Sequence, residues 1–182
     1  MIQTIGQIVH ADAGVFLKMW RTFVDPATRM WQDHRHGNFE IATVVSGRGE
    51  YFTGSGIMSI EPGDVFVFSG NEPHWILQIG EGGLQILNLH FDYGCFSSGC
   101  TIAKRYPNLY FPHSTDFCNR IPANKAQELR GLTEGICKEL EQGAAEQDDF
   151  VYGYLNMLFC QLIREHAYYC PDDGVHTAVQ RM

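Results

Sequence analysis

A chain of 182 residues, 45% of them hydrophobic and 19% charged, has the composition of a soluble globular protein and can bury one sizeable core. A net charge of −8 without a basic stripe excludes nucleic-acid binding as the main role of this segment. No apolar run is long enough for a membrane span, and residues 1–4 do not begin a signal peptide. Because the six cysteines form no CxxC pair, we expect reduced thiols and a cytoplasmic location.

The first half of the chain is predicted to consist of short strands joined by turns. Turn residues recur at Asp12-Ala13-Gly14, Gly47-Arg48-Gly49, Glu61-Pro62-Gly63-Asp64 and Gly80-Glu81-Gly82-Gly83. The stretches between them are rich in Val, Ile, Thr and aromatic residues, and their regular spacing is typical of an antiparallel sandwich or barrel. The predicted strands are 5–10, 15–24, 39–46, 50–53, 57–60, 65–68, 74–79 and 84–91.

Three histidines and one glutamate in this region have the spacing of a metal site. His34 and His36 alternate, so that on a strand both side chains point to the same face. On a straight strand Glu40 would lie roughly 13 Å beyond His36, so it joins them only if Gly37-Asn38 turns the chain. His74 must arrive from a separate strand. Imidazole and carboxylate groups bind Zn, Ni, Fe or Mn, so we expect one of these metals or, alternatively, an organic pocket without metal. The candidate ligands are His34, His36, Glu40 and His74.

Two helices are predicted in the last third of the chain. Residues 123–142 carry an apolar face at helical spacing, and Gln142-Gly143 is a stop signal. A second helix is predicted to begin near Asp148-Asp149, which suit a helix N-terminus, and to end at Cys170. Its apolar arc is wide, which favours self-association over simple packing on the barrel, so we expect a homodimer through this hairpin. The predicted face of the first helix is Ala126, Leu129, Leu132 or Thr133, Ile136 and Leu140.

The pattern His34-x-His36-x3-Glu40-x6-Gly47, followed by Gly63-x10-His74, resembles the two sequence motifs of the cupin family. The resemblance implies a jelly-roll barrel in which the four candidate ligands hold the metal. The match is incomplete, because Thr28 stands where the family has a glycine. Three further family positions, a proline, a glycine and an asparagine, are occupied here by Ser69, Asn71 and Gln78.

The order of barrel, helical hairpin and interrupted last element resembles the N-terminal half of AraC-type transcription regulators over nearly the whole chain. The most specific part is the pattern around Gly47-x-Gly49-Glu50, Pro62-Gly63-Asp64 and Pro73-His74. The predicted fold is therefore mainly β, a cupin or jelly-roll antiparallel barrel followed by a C-terminal α-helical hairpin. The resemblance implies four parts: an effector-binding barrel at 1–95, an irregular connection at 96–122, a dimerisation hairpin at 123–170 and a linker at 171–182. No helix-turn-helix pattern follows Pro171, so we expect an excised sensor half rather than a natural short relative.

The parity of the ligands predicts which other side chains face the barrel interior. Counted from His74, these lie at every second position of the last strands. A polar side chain buried there needs a partner, which is either a neighbouring protein group or a bound ligand. The resemblance places effector contacts on these strands and on the N-terminal arm, and a tryptophan near the ligands would stack on an effector ring or simply pack. The candidate effector contacts are Ile76, Gln78, Ile86, Asn88, His90 and Trp31.

These observations predict the effector-sensing and dimerisation domain of an AraC-type regulator, not an enzyme. The barrel would bind a small molecule such as a sugar or another metabolite, a metal ion, or both, and DNA would be reached only through the absent half. The rival hypothesis is a metal-dependent cupin enzyme, a dioxygenase or an isomerase, which the complete ligand set favours. A third hypothesis is a storage or scaffold barrel without a ligand.

Overall fold

The computed structural model of the chain describes residues 1–27, 34–92, 94–97, 102, 105, 106 and 116–168. Trp31, the predicted linker at 171–182 and much of the predicted connection at 96–122 lie outside these residues. In chain order the elements are β1 (Ile2–His10), a 3-10 turn (Ala11–Ala13), β2 (Val15–Val24), β3 (Phe39–Thr53), β4 (Gly56–Ile60), β5 (Val65–Phe68), β6 (His74–Phe91), α1 (Gly94–Ser97), β7 (Arg120–Ile121), α2 (Gln127–Gln142) and α3 (Gln147–Glu165).

The strands form one antiparallel sheet in the order β1-β2-β6-β3-β5-β7, with β4 paired to β3. The two long strands β3 and β6 lie side by side at its centre and supply most of the residues that face the interior. The prediction of a mainly β fold with antiparallel strands followed by two C-terminal helices is confirmed.

Two predicted turns are instead β-bulges inside the central strands. Strand β3 runs through the glycine-rich segment 47–49, and β6 runs through the segment 80–83. The pairing of the two strands shifts register between Val44 and Ser46 and between Gly47 and Gly49. Gly47 has φ 91°, and a Cβ there would lie 2.1 Å from the Gly83 carbonyl oxygen of the neighbouring strand. Glycine is therefore required at this bulge because the two backbones approach too closely for a side chain.

The sheet separates two hydrophobic cores. Even-numbered residues such as Val44, Phe68 and Ile86 point to the inner side, where they form a cluster enclosed by β2 to β6. Odd-numbered residues of the same strands, such as Leu89, pack on the outer side together with Ile136 of α2 and other apolar residues of the helices. The strand alternation of period two thus gives the barrel a filled interior and a helix-covered exterior.

The two C-terminal helices form the expected hairpin. Helix α2 begins four residues later than predicted, because Pro122 accepts hydrogen bonds from Lys125 and Ala126 in a turn before it. It ends as predicted at Gly143, which has φ 63° and donates its N–H to the Glu139 carbonyl. Thr133 rather than Leu132 completes its buried face. Helix α3 ends at Glu165, five residues before the predicted Cys170. None of the helices in the described part of the chain is long and apolar enough to cross a membrane.

Candidate metal centre

The residues predicted to bind metal come from two chain segments that the backbone holds against each other. His34 and His36 precede β3, and a bend at Gly37 and Asn38 turns the chain so that Glu40 on β3 returns to His36. The N–H of His74, the first residue of β6, donates to the His34 carbonyl over 3.0 Å. The N–H of Asn71 likewise donates to the His36 carbonyl over 2.7 Å. These two bonds place the histidine segment against the start of β6.

The side chains converge on a single carboxylate oxygen. The Nε2 atoms of His36, His74 and His90 lie 2.9, 3.0 and 2.9 Å from Oε2 of Glu40. Glu40 is 5% exposed and His74 is 2% exposed, so the centre of the cluster is buried. His34 is exposed, and its ring lies 5.2 Å from the rings of His36 and His74, measured between centroids. The cluster is therefore closed on the barrel side and reachable from the His34 side.

Aromatic neighbours fix the orientation of two of the rings. Phe68 stacks on His74 with a centroid distance of 4.0 Å and an interplanar angle of 8°. Trp20 meets His90 edge to face, with centroids 4.5 Å apart. Rings held in this way lose little conformational entropy when they bind a ligand.

Backbone carbonyls define the tautomer of two of the imidazoles. Nδ1 of His36 lies 3.0 Å from the Asn38 carbonyl oxygen, and Nδ1 of His74 lies 2.8 Å from the Glu72 carbonyl oxygen. A carbonyl oxygen only accepts, so each Nδ1 carries the proton. In a neutral ring Nε2 is then a bare lone pair facing a carboxylate oxygen. Either both rings are cationic or a cation belongs between them and Glu40.

The pKa values in the cluster follow from the same contacts. Burial alone would raise the pKa of Glu40, but hydrogen bonds from His36, His74 and His90 outweigh burial and hold this pKa well below its usual range. Burial opposes a charge on His74, yet the hydrogen bond to Glu40 raises its pKa. Burial lowers the pKa of His34, and His74 and His36 lower it further. Glu40 is thus ionised, and His34 offers a neutral nitrogen near pH 7.

This donor set fits a divalent metal ion. The candidate ligand atoms of His34, His36 and His74 lie within 4.8 Å of one another, and so do those of His36, Glu40 and His90. Two ligands about 2.1 Å from one ion and at right angles are about 3.0 Å apart, close to the separations around Glu40 Oε2. The carbonyl partners of His36 and His74 are of the kind that orient metal-binding imidazoles. The cluster therefore has the chemistry and the spacing to bind a metal.

The structure brings the four predicted ligands together and adds His90, which we predicted only as an effector contact. The signal for His90 was its inward parity on the last strand. The sequence does not show how β3 and β6 are paired. In the structure His90 is the direct cross-strand partner of Glu40. Cross-strand partners on one face lie within contact distance of each other.

The other predicted effector contacts have different surroundings. Ile76 and Ile86 are buried in the inner core cluster. Asn88 is 7% exposed and donates to Thr22 Oγ1 over 3.0 Å, so its partner in the structure is a neighbouring side chain. Trp31 is not among the described residues.

The inward prediction is wrong for Gln78, which is exposed. The pairing of β3 with β6 shifts register between Glu50 and Tyr51, opposite this part of β6. The irregularity reverses the alternation, so Ile79 instead of Gln78 packs against the inner core.

Comparison with known proteins supports the β part of this description. The family model described as Cupin domain matches residues 20–90, a range that contains His34, His36, Glu40, His74 and His90. No curated protein matches the sequence.

Solved structures resemble the chain over less than half of its length. One is the oxalate decarboxylase of Bacillus subtilis, an enzyme with Mn(II) centres, which is 26% identical over 42% of this chain and 21% of that chain, with a TM-score of 0.37. Its W96F form is 25% identical over the same shares, also with a TM-score of 0.37. The plu4264 protein of Photorhabdus luminescens is 16% identical over 42% of this chain and 63% of that chain, with a TM-score of 0.39.

Proposed function

We propose that this chain, with its cupin domain at 20–90, is the metal-binding sensor and dimerisation half of an AraC-type transcription regulator. In this proposal the cluster around Glu40 binds a divalent metal, alone or together with a small organic effector such as a sugar or another metabolite. The ligand shifts the balance between two arrangements of barrel and hairpin, and a DNA-binding half elsewhere in a longer protein responds to that shift. A ligand can do this only through different affinities for the two arrangements.

The observation that carries the proposal is the layer of aromatic rings that lies between the cluster and the hairpin. Phe39 and Phe91 are the sequence neighbours of Glu40 and His90, and they point to the other side of the sheet. Both rings contact Phe159 of α3, with centroid distances of 5.0 and 5.9 Å. Any change in the position of Glu40 or His90 is therefore transmitted to the hairpin through one layer of packed rings, and close packing does not absorb such shifts.

Two apolar residues on α3 support dimerisation. Phe150 is 54% exposed and Met157 is 57% exposed. They are seven residues apart, two helical turns, and so lie on the same face of the helix. A second copy of the chain would cover this surface, and aromatic and methionine side chains are enriched in such interfaces.

Sedimentation velocity over a range of protein concentrations tests the sensor function. We expect Zn²⁺ to change the dimer dissociation constant by about fivefold or more relative to chelator-treated protein, which is the scale of allosteric coupling. The variant His36→Ala should show no metal response, and Phe150→Ser should weaken the dimer with or without metal. If the wild-type protein binds Zn²⁺ but its dimer dissociation constant stays the same, the sensor proposal is wrong.

The exposure of His34 favours a second candidate, a metal-dependent enzyme such as a dioxygenase or isomerase, because a substrate could reach the cluster from that side. The bound metal would act as a Lewis acid on a substrate oxygen. Glu40 would orient three imidazoles, and Trp20 and Phe68 would exclude water from the inner side. Turnover of a small substrate by Fe²⁺- or Mn²⁺-loaded protein, with loss of turnover in Glu40→Ala, would favour this candidate over the sensor.

A further inference from the structure

The loop before His74 is organised by the side chain of Glu72. Its carboxylate Oε2 accepts hydrogen bonds from the Ser69 N–H over 3.0 Å and from the Ser69 hydroxyl over 3.2 Å. The carbonyl of the same residue accepts from His74 Nδ1 over 2.8 Å. The side chain of Glu72 therefore fixes the loop, and the loop fixes the carbonyl that orients His74.

The other oxygen of Glu72 is bound by a residue far along the chain. Asn119 lies just before β7, is fully buried, and donates from Nδ2 to Glu72 Oε1 over 2.7 Å and to the Val67 carbonyl over 3.0 Å. The backbone carbonyl of Asn119 accepts from the Val67 N–H over 3.0 Å. Asn119 is thus attached at three points to β5 and the loop that follows it.

The segment that carries Asn119 also contacts the hairpin. Phe117, two residues earlier, meets Tyr168 edge to face with centroids 4.9 Å apart. Tyr168 follows α3, is 1% exposed, and lies 6.0 Å from the Phe159 ring of that helix. A continuous set of contacts therefore runs from the His74 ring through Glu72 and Asn119 to the end of α3.

We propose that Glu72 and Asn119 are positioning residues that link the metal affinity of the cluster to the state of the segment entering the hairpin. This inference rests on the proposed metal site. Neither side chain would touch the metal. Glu72 holds the loop whose carbonyl sets the tautomer and direction of His74, and Asn119 ties that loop to residues 116–121. Coupling of binding free energies is reciprocal, so metal binding also orders that segment.

Zn²⁺ affinity, measured by competition with a chromogenic chelator, tests the first half of the inference. Loss of an outer partner of a metal ligand weakens metal binding about 10- to 100-fold, so Glu72→Ala should weaken Zn²⁺ binding by about 10-fold or more. Asn119→Ala should weaken Zn²⁺ binding to the same extent. The double variant should bind Zn²⁺ no more weakly than Glu72→Ala, because both changes break the same bridge, the hydrogen bond between Glu72 and Asn119. Glu81→Ala, which removes an exposed carboxylate of β6, is the matched control and should bind like wild type.

Hydrogen exchange tests the second half of the inference, that metal binding orders residues 116–121. Residues with a purely structural role would not change the effect of Zn²⁺ on amide exchange there. In the wild-type protein Zn²⁺ should slow amide exchange at residues 116–121, and in Glu72→Ala it should not, even at saturating Zn²⁺. If wild type binds no Zn²⁺, the proposed metal site is wrong. If wild type binds Zn²⁺ and both bridge variants bind equally well or keep the metal-dependent protection, the bridge is wrong and the metal site stands.

Discussion

Glu40 is the residue on which the candidate site depends, because three imidazoles face one of its oxygens. The Nδ1 atoms of His36 and His74 are committed to backbone carbonyls. The Nε2 atoms of these two histidines therefore need either a second proton on the ring or a metal ion to bind. In the proposed metal site, protons and metal would compete for these atoms, and metal binding would depend on pH.

Replacing Glu40 by Gln in metal-free protein should reduce stability in a pH-dependent way. The lowered pKa of Glu40 gives stability that is present above its unfolded value of 4.5 and is lost as pH falls through the folded pKa. The raised pKa of His74 gives stability that is present below its unfolded value of 6.5 and is lost as pH rises through the folded pKa. The stability difference between wild type and Glu40→Gln should therefore be largest between these two unfolded values, at about 3 kcal/mol.

Urea unfolding of chelator-treated protein across this pH range measures the difference. Glu81→Gln, at an exposed position of β6, controls for the loss of one negative charge and should change stability little at any pH. A stability difference for Glu40→Gln that is independent of pH would contradict the assignment of an ionised Glu40 hydrogen-bonded by imidazolium.

Four members of the cluster, His34, His36, Glu40 and His74, are predictable from sequence because their spacing is a local pattern. The alternation of His34 and His36 and the turn before Glu40 are visible in the residues themselves. The sequence predicts His90 as an effector contact and not as a metal ligand, since its contact with Glu40 depends on the register between β3 and β6. That register is a pairing between two strands far apart in the sequence, which no local pattern shows.

At the scale of elements, α3 packs on the sheet through its buried apolar face, and Phe159 is the fully buried ring of that face. Phe159 contacts Phe39, Phe91 and Tyr168, with centroid distances of 5.0, 5.9 and 6.0 Å. Phe159→Ala should lower the free energy of unfolding by about 3–5 kcal/mol, because it removes a large buried side chain from a packed cluster. Leu77→Ala, at a residue of β6 that is 42% exposed, should change it by less than about 0.5 kcal/mol.

Chemical denaturation of both variants measures these effects, and Phe159→Leu provides a milder change that keeps most of the packing. If Phe159→Ala were as stable as wild type, the hairpin would not be packed on the sheet as described, and the proposed path from the cluster to α3 would be lost.

The strands and helices were predictable from sequence except where glycines form bulges. Segments 47–49 and 80–83 have the composition of turns, and nothing local distinguishes a turn from two strands that cross closely. Only the pairing of β3 with β6 shows that Gly47 lies against Gly83. The helices, in contrast, were located by periodicity and by Gly143, which are local signals.

At the scale of the whole molecule, one sheet separates a polar cluster in the barrel from the hairpin on its outer face. Glu40 and His90 point to one side and their neighbours Phe39 and Phe91 to the other. In the proposed function this part senses a ligand and DNA is bound elsewhere, which agrees with a net charge of −8. In the proposed function every other property depends on whether the cluster holds a metal.

Elemental analysis of the purified protein, prepared without chelator or metal-affinity resin, tests that central claim most directly. We predict about one divalent ion per chain in wild type and in His10→Ala, which removes an exposed histidine outside the cluster. We predict almost no metal in His36→Ala, since His36 belongs to both sets of candidate ligands. Metal-free wild type, or full occupancy in His36→Ala, would contradict the account and leave the cluster as the lining of an organic pocket.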